Sequence, residues 1–175
     1  MHFLGEADLA LTHESGGATL ARPTGRRLHT GSAPLAAALA RFVAAYPGSA
    51  SVDDLVAALP AGARNAEGRA MVRDAVLNMV INGLATPRTE PVRATGHVNA
   101  RPIACPLARA DAAGGATATA NLRHESVALG EAARAVLALL DGSRDTDAIA
   151  RALAQGPAGG IAMLATLARA GLLLS

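Results

Sequence analysis

Residues 48–59 and 142–153 repeat one another at an offset of 94. Gly48-Ser49-Ala50-Ser51-Val52-Asp53-Asp54-Leu55-Val56-Ala57-Ala58-Leu59 reads against Gly142-Ser143-Arg144-Asp145-Thr146-Asp147-Ala148-Ile149-Ala150-Arg151-Ala152-Leu153. Each copy follows an apolar stretch of helical character and precedes another that ends in Gly-Leu, Gly83-Leu84 and Gly171-Leu172. The chain is therefore expected to hold two copies of one small three-helix unit.

The side chains available set the kind of core. Ala fills about a quarter of the 175 positions, with one Tyr, two Phe and no Trp. Ala is the strongest helix former, so the chain leans helical. Small side chains bury little area each, so stability rests on many modest contacts at roughly 25 cal/mol per Å² of apolar surface. With histidine neutral, every cationic side chain is Arg, and the net charge is only +2. Residues 1–97 carry nine Arg against eight acids, and residues 98–175 seven against six. Neither half is the polycation expected of a nucleic-acid binder.

Local signals place the elements. Residues 1–13 read as a short helix, with Phe3, Leu4, Ala7 and Leu11 at helical spacing. Residues 18–31 read as strand or extended loop, with Arg26-Arg27-Leu28-His29 as the strand. Ser32 is an N-cap and Pro34 sits in the first turn, where its missing N–H costs nothing. Leu35, Leu39, Phe42, Val43 and Tyr46 then share a face, and Pro47-Gly48 ends the helix. Ser51 caps the next helix, with Asp53 and Asp54 favoured by its dipole, and Pro60 stops it. A third helix spans about 66–82, with Met71, Val72, Ala75, Val76, Met79 and Val80 as its stripe. Gly83 is suited to the C′ position, and 84–89 reads as strand.

Pro87, Pro91, Gly96 and Pro102 mark residues 86–102 as linker-like. Pro106 starts a short helix to Ala112, and Gly114-Gly115 breaks it. Residues 117–119 and 122–129 read as strands, and 130–140, 145–154 and 158–170 as helices. Leu172 to Leu174 reads as a terminal strand. Three short helices flanked by strands follow the winged-helix order. The expected fold class is mainly α (α+β): two tandem winged-helix-like units, with an all-helical bundle as the rival. The expected domains are 1–90, a linker 91–115, and 116–175.

Chemistry-bearing patterns are sparse. His97, Cys105 and His124 match no zinc spacing. Cys105 with either histidine could be drawn as nucleophile and base, but a lone Cys among Ala residues reads as a small buried hydrophobe. Gly114-Gly115 and Gly159-Gly160 do not sit in a strand–GxGxxG–helix context. No cofactor and no catalytic residue is expected, and the chain is read as not an enzyme. Asn121-Leu122-Arg123-His124-Glu125 is the densest polar run, and strand 122–128 would be the sheet edge for an added peptide strand. Read as a DNA binder, the first unit would present Arg64, Arg69 and Arg73 on one face of its third helix. The corresponding helix of the second unit carries only Arg169 between Pro157 and Ala170, as suits packing against protein.

Several segments together resemble the predicted methyltransferase regulatory domain family and the C-terminal region that follows it in some bacterial proteins. They are Phe3-Leu4-Gly5-Glu6-Ala7, Leu28-His29-Thr30-Gly31 leading to Pro34-Leu35-Ala36, Arg101-Pro102 with Pro106-Leu107-Ala108-Arg109, Asn121-Leu122-Arg123-His124-Glu125, and Leu140-Asp141-Gly142-Ser143-Arg144-Asp145. The resemblance covers most of residues 1–155, in order. It implies a non-catalytic region that regulates a class I, S-adenosylmethionine-dependent methyltransferase or presents its protein substrate. The methyltransferase domain itself has no counterpart here.

The combined expectation is a regulatory or substrate-recognition module acting through protein contacts. Its partner would be a methyltransferase domain or that enzyme's protein substrate. Arg101, Arg109, Arg123, His124 and Arg144 are the expected polar contact surface, able to pair with acidic groups. A DNA-binding regulator and a peptide-binding module are the alternatives, and a homodimer is one way to cover apolar helix faces. A single Cys fits a reducing compartment. Acids in residues 1–8, and Arg169 within the apolar run 161–174, argue against a signal peptide and a membrane span. A cytoplasmic protein is the expectation.

Overall fold

The computed structural model describes residues 1–153 and 156–175, with side chains described for all of these but 156–158. The chain divides into two compact units, Met1–Val92 and Arg93–Ser175.

In unit 1 the first thirteen residues are strands rather than a helix. Strand β1 (His2–Gly5) is the middle strand of an antiparallel sheet, with β5 (Ser49–Ser51) and β6 (Ala85–Arg88) beside it. The register sets Phe3 opposite Ala50 and Pro87. Phe3 and Leu4 are both buried, although successive strand residues point to opposite faces. Their adjacency fits a helical stripe equally well, and only pairing with strands about 45 and 80 residues away decides between the two. A second sheet follows as a meander of β2 (Ala10–Glu14), β3 (Gly17–Ala21) and β4 (Arg27–Thr30).

The helices form where the caps predict them. In α1 (Ala33–Ala44) the Ser32 side chain accepts from Leu35 N–H, and Pro34 occupies the first turn. In α2 (Val52–Ala57) Ser51 and Asp54 form a reciprocal capping box. A 3-10 turn (Ala61–Ala63) leads to α3 (Ala66–Ile81), whose N-cap is Asn65. Leu39, Phe42, Leu55, Leu59, Val72, Val76 and Met79 close the core beneath the two sheets.

Unit 2 is built of α4 (Pro106–Ala113), the hairpin β7 (Ala118–Ala120) and β8 (Ser126–Ala128), α5 (Glu131–Leu137), α6 (Thr146–Ala152) and α7 (Gly156–Arg169). The stretch read as linker, 91–115, contributes Ala104, Cys105, Ala108 and Ala112 to this core. Its extended part is held by backbone: Cys105 N donates to Leu172 O at 2.8 Å, and Ala94 bridges Leu174. Its prolines end elements, but its small residues let the chain lie close against the C-terminal tail. The expected strand over 122–129 shrinks to 126–128, because 121–125 is a turn. The expected terminal strand is a pair of single bridges, Leu173 to Ala104 and Leu174 to Ala94. The expected helix 145–154 runs to Ala152, and its last position, 154, lies outside the described residues.

The repeat is real in three dimensions. Ser51 and Asp145, 94 apart, are both N-caps whose side chains accept a backbone N–H three residues on. Leu55 and Ile149 are buried at matching positions, as are Phe42 and Val136. After the third helix the offset becomes 171 − 83 = 88. Leu84 N donates to Met79 O at 2.8 Å, and Leu172 N to Leu167 O at 3.1 Å. Gly83 and Gly171 stand between them at φ +63° and +71°, the left-handed C′ conformation that glycine adopts without a Cβ penalty.

Candidate functional site

The polar run 121–125 is a wired hairpin turn. Asn121 Oδ1 accepts from Arg123 N and Glu125 N, each at 2.9 Å. Its Nδ2 donates to Glu125 Oε2 at 2.9 Å and to Ala170 O at 2.8 Å. Leu122 N donates to Gly171 O at 3.0 Å. Arg123 is 4% exposed, with Nε donating to Glu125 Oε1 at 3.0 Å. A buried guanidinium tied to a carboxylate holds the turn against the end of α7 and offers little to a partner. Of this run, His124 is exposed, at φ +66°.

The other expected contact residues lie elsewhere in unit 2. Asp141 accepts from Ser143 N at 2.9 Å and from Ser143 Oγ. These bonds, with the charges of Arg144 and Arg109, hold its carboxyl below the usual range. Arg144 Nη1 is 3.7 Å from Asp141 Oδ2. Arg109 rises from α4 with a buried Nε that has no hydrogen-bond partner among the described residues. Arg109 and Arg144 thus share one acidic neighbour, while Arg101 is separately exposed. Of the five, Arg123 is buried and Arg109 and Arg144 lie near Asp141, while His124 and Arg101 are exposed.

In unit 1 the three cations named for a DNA-reading face are all exposed, but two of them have internal partners. Arg64 Nε donates to Leu59 O at 2.7 Å, closing the end of α2. Arg69 pairs with Asp53. Of the three, Arg73 has no hydrogen bond or ion pair among the described residues. The outward side of α3 carries Arg73 together with Glu67, Ala70, Asp74, Leu77 and Ile81, with Leu77 and Ile81 59% and 70% exposed.

Beside this face lies an open groove of about 470 Å³. Leu28, His29 and Thr30 of β4 form one wall, and Glu67, Met71, Asp74 and Asn78 of α3 the other. A second hollow of about 400 Å³ continues past Met71 and Glu67 to Pro34 and Asn65. Sequence reasoning missed this site. The signal available was the spacing 67, 70, 74, 77, 81, which puts acids and exposed apolar residues on one side of a helix.

Cys105 is buried in the unit 2 core. Among the described residues no group of three or more His, Cys, Asp or Glu is placed to hold a metal ion, and no helix is long and apolar enough to cross a membrane.

The resemblance read from the sequence is borne out in unit 2. Residues 100–171 match the family described as "PKMT, C-terminal winged helix domain". The winged-helix class is thereby shown. No curated protein is similar enough to this chain to match. Among solved structures, the chain is similar to PKMT2 from Rickettsia typhi, with TM-score 0.70 and 12% identity, over 99% of this chain and 42% of that one. It is likewise similar to PKMT2 from Rickettsia typhi in complex with AdoHcy, with TM-score 0.71 and 11% identity, over the same shares. At such identity the likeness is one of fold. The chain spans less than half the length of those neighbours.

Proposed function

We propose that this chain is a non-catalytic module of a protein-lysine methyltransferase system, acting through protein contacts to present a substrate protein or to regulate the enzyme. The observation that carries this reading is the correspondence of nearly the whole chain with 42% of PKMT2, a protein solved with AdoHcy bound. The faces of the two units agree with it. In each unit the third helix is the one a DNA-binding winged helix would lay in the major groove. The described outward side of α7 carries Ile161, Ala162, Ala165, Thr166 and Arg169, and on α3 the exposed Arg69 and Arg73 are offset by Asp53, Glu67 and Asp74 and diluted by Leu77 and Ile81. Neither suits a polyanion. In unit 2, Arg101, Arg144 and the hairpin-tip His124 are the exposed or half-exposed basic groups we assign to partner contact, with Arg109 supporting Arg144 beside Asp141.

The test is affinity capture with the tagged full chain from extract of its own organism. Captured material is then incubated with tritiated S-adenosylmethionine. Recovery of a methyltransferase, and label on lysine, are expected. Capture of neither a methyltransferase nor a methylated protein would overturn the reading. Mixed duplex DNA at low salt should show no binding, since nonspecific affinity rests on phosphate contacts.

A further inference from the structure

The groove of unit 1 has three properties that together specify a ligand. The first is an unused strand edge. β4 is the last strand of its sheet, paired among the described residues only with β3. Arg22 N donates to Arg26 O at 2.9 Å, and the register continues as Leu20 opposite Leu28 and Ala18 opposite Thr30. In an antiparallel pair, every second facing pair exchanges the hydrogen bonds. The peptide groups of Arg27 and His29 therefore point away from β3, along the wall of the groove. Two N–H and two C=O groups stand there as a template for another strand.

The second property is charge. Glu67 and Asp74 line the groove, and neither carboxylate has a hydrogen bond or ion pair among the described residues. The basic group beside them, His29, turns Nδ1 toward Thr19 Oγ1 at 3.0 Å and Glu14 Oε2 at 3.6 Å. The third is an apolar floor and rim. Met71 is fixed by Ser32 Oγ donating to its Sδ at 3.4 Å, and Leu77 and Ile81 stand exposed on the same side of α3.

We propose that this groove binds an extended, lysine- or arginine-bearing segment of a partner protein, added as a fourth strand at the β4 edge. Backbone bonds to Arg27 and His29 hold the segment in register. A cationic side chain meets the Glu67 and Asp74 carboxylates in charge-assisted hydrogen bonds, and an apolar neighbour covers Leu77 and Ile81. This is strand addition with a charged selectivity element. The inference deepens the reading of the chain as a substrate-presenting module and rests on it for the biological source of the segment.

The probe is a blocked eight-residue peptide of alternating valine and lysine, titrated into the full chain and followed by calorimetry and by amide shifts. We expect the shifts to centre on Arg27 and His29. The double variant Glu67→Gln with Asp74→Asn should bind at least tenfold more weakly, and both positions are exposed, so the fold is retained. Replacing the lysines by glutamate, or N-methylating alternate peptide groups, should abolish binding. Shifts centred away from β4, equal affinity in the double variant, or equal binding of the glutamate peptide would each overturn the proposal. The two readings fail separately. Binding at β4 with no methyltransferase captured leaves the groove standing without the wider function. Capture of a methyltransferase, undiminished in the double variant and with no peptide binding at β4, removes the groove alone.

Discussion

Units 1 and 2 carry the same helical turn machinery on different foundations. In both, an N-cap opens the middle helix and a left-handed glycine followed by a buried leucine closes the third. In both, a side chain from the preceding hairpin also stands behind that glycine. In unit 1 it is Arg26, whose guanidinium lies against Gly83. In unit 2 it is Asn121, whose Nδ2 would lie 3.4 Å from a Cβ on Gly171. The difference is how the helix end is secured. Unit 1 relies on large core side chains, Phe42 and Leu39 at positions where unit 2 has Val136 and Ala133. Unit 2 has less apolar volume there and adds a polar network around Asn121. The same topology can thus be held by packing in one copy and by hydrogen bonds in the other.

Four measurements sharpen this contrast, by denaturant unfolding of the full chain with hydrogen exchange locating the loss. Phe42→Ala should cost about 3–5 kcal/mol and expose unit 1 amides, as for a large aromatic removed from a packed core. The matching Val136→Ala removes two methyl groups and should cost about 2 kcal/mol, felt in unit 2. Equal costs would break the distinction. Asn121→Ala strips four hydrogen bonds from a 6% exposed side chain. It should cost about 2–3 kcal/mol by leaving buried partners unsatisfied, with protection lost first at 121–125 and at the end of α7. Arg26→Ala in unit 1 should cost under about 1 kcal/mol, the range of an ordinary surface change.

The caps come next. Ser51→Ala and Asp145→Ala should each cost about 1 kcal/mol, with Ser51 the larger because its hydroxyl also donates to Asp54 Oδ2. The smallest effect is pH dependence. Hydrogen bonds from Ser51 backbone and side chain, with help from Arg41 and His2, hold the Asp54 carboxyl below its ordinary value. A depressed carboxylate contributes stability that is fully present above its unfolded pKa and is lost as pH falls through the lower folded one. Acid titration should therefore weaken unit 1 in that window, and Ser51→Ala should reduce the slope in part, since the backbone bond from residue 51 remains. Asp141, held down first by Ser143, predicts the same sign in unit 2, flattened by Ser143→Ala.

Much of the helical architecture was legible because its signals are local. Ser32 with Pro34, Ser51 with Asp53 and Asp54, and Gly83 act within one turn of chain, and each sits where its chemistry requires. Residues 1–13 were misread because Phe3, Leu4, Ala7 and Leu11 satisfy two periodicities, and the choice between them is made by distant strands. Residues 122–125 read as strand as part of the run 122–129, while the Asn121 side chain replaces ladder bonds with its own. The site was least legible. Arginines drew attention by charge, but Arg123, Arg64 and Arg69 are spent on internal partners, and the groove is defined by residues whose charge is opposite and whose neighbours come from β4.

The sequence by itself determined that there are two copies of a three-helix unit, where their caps fall and which helix faces go inward, since these depend on residues within a few positions of each other. Only the tertiary structure decided that the N-terminal strand is the centre of a sheet, that 93–115 belongs to the second unit, and that β4 lines a groove with two carboxylates that have no ion pair among the described residues. Those facts depend on which distant segments meet. That is settled by the burial and backbone pairing of the whole chain, which no local pattern records.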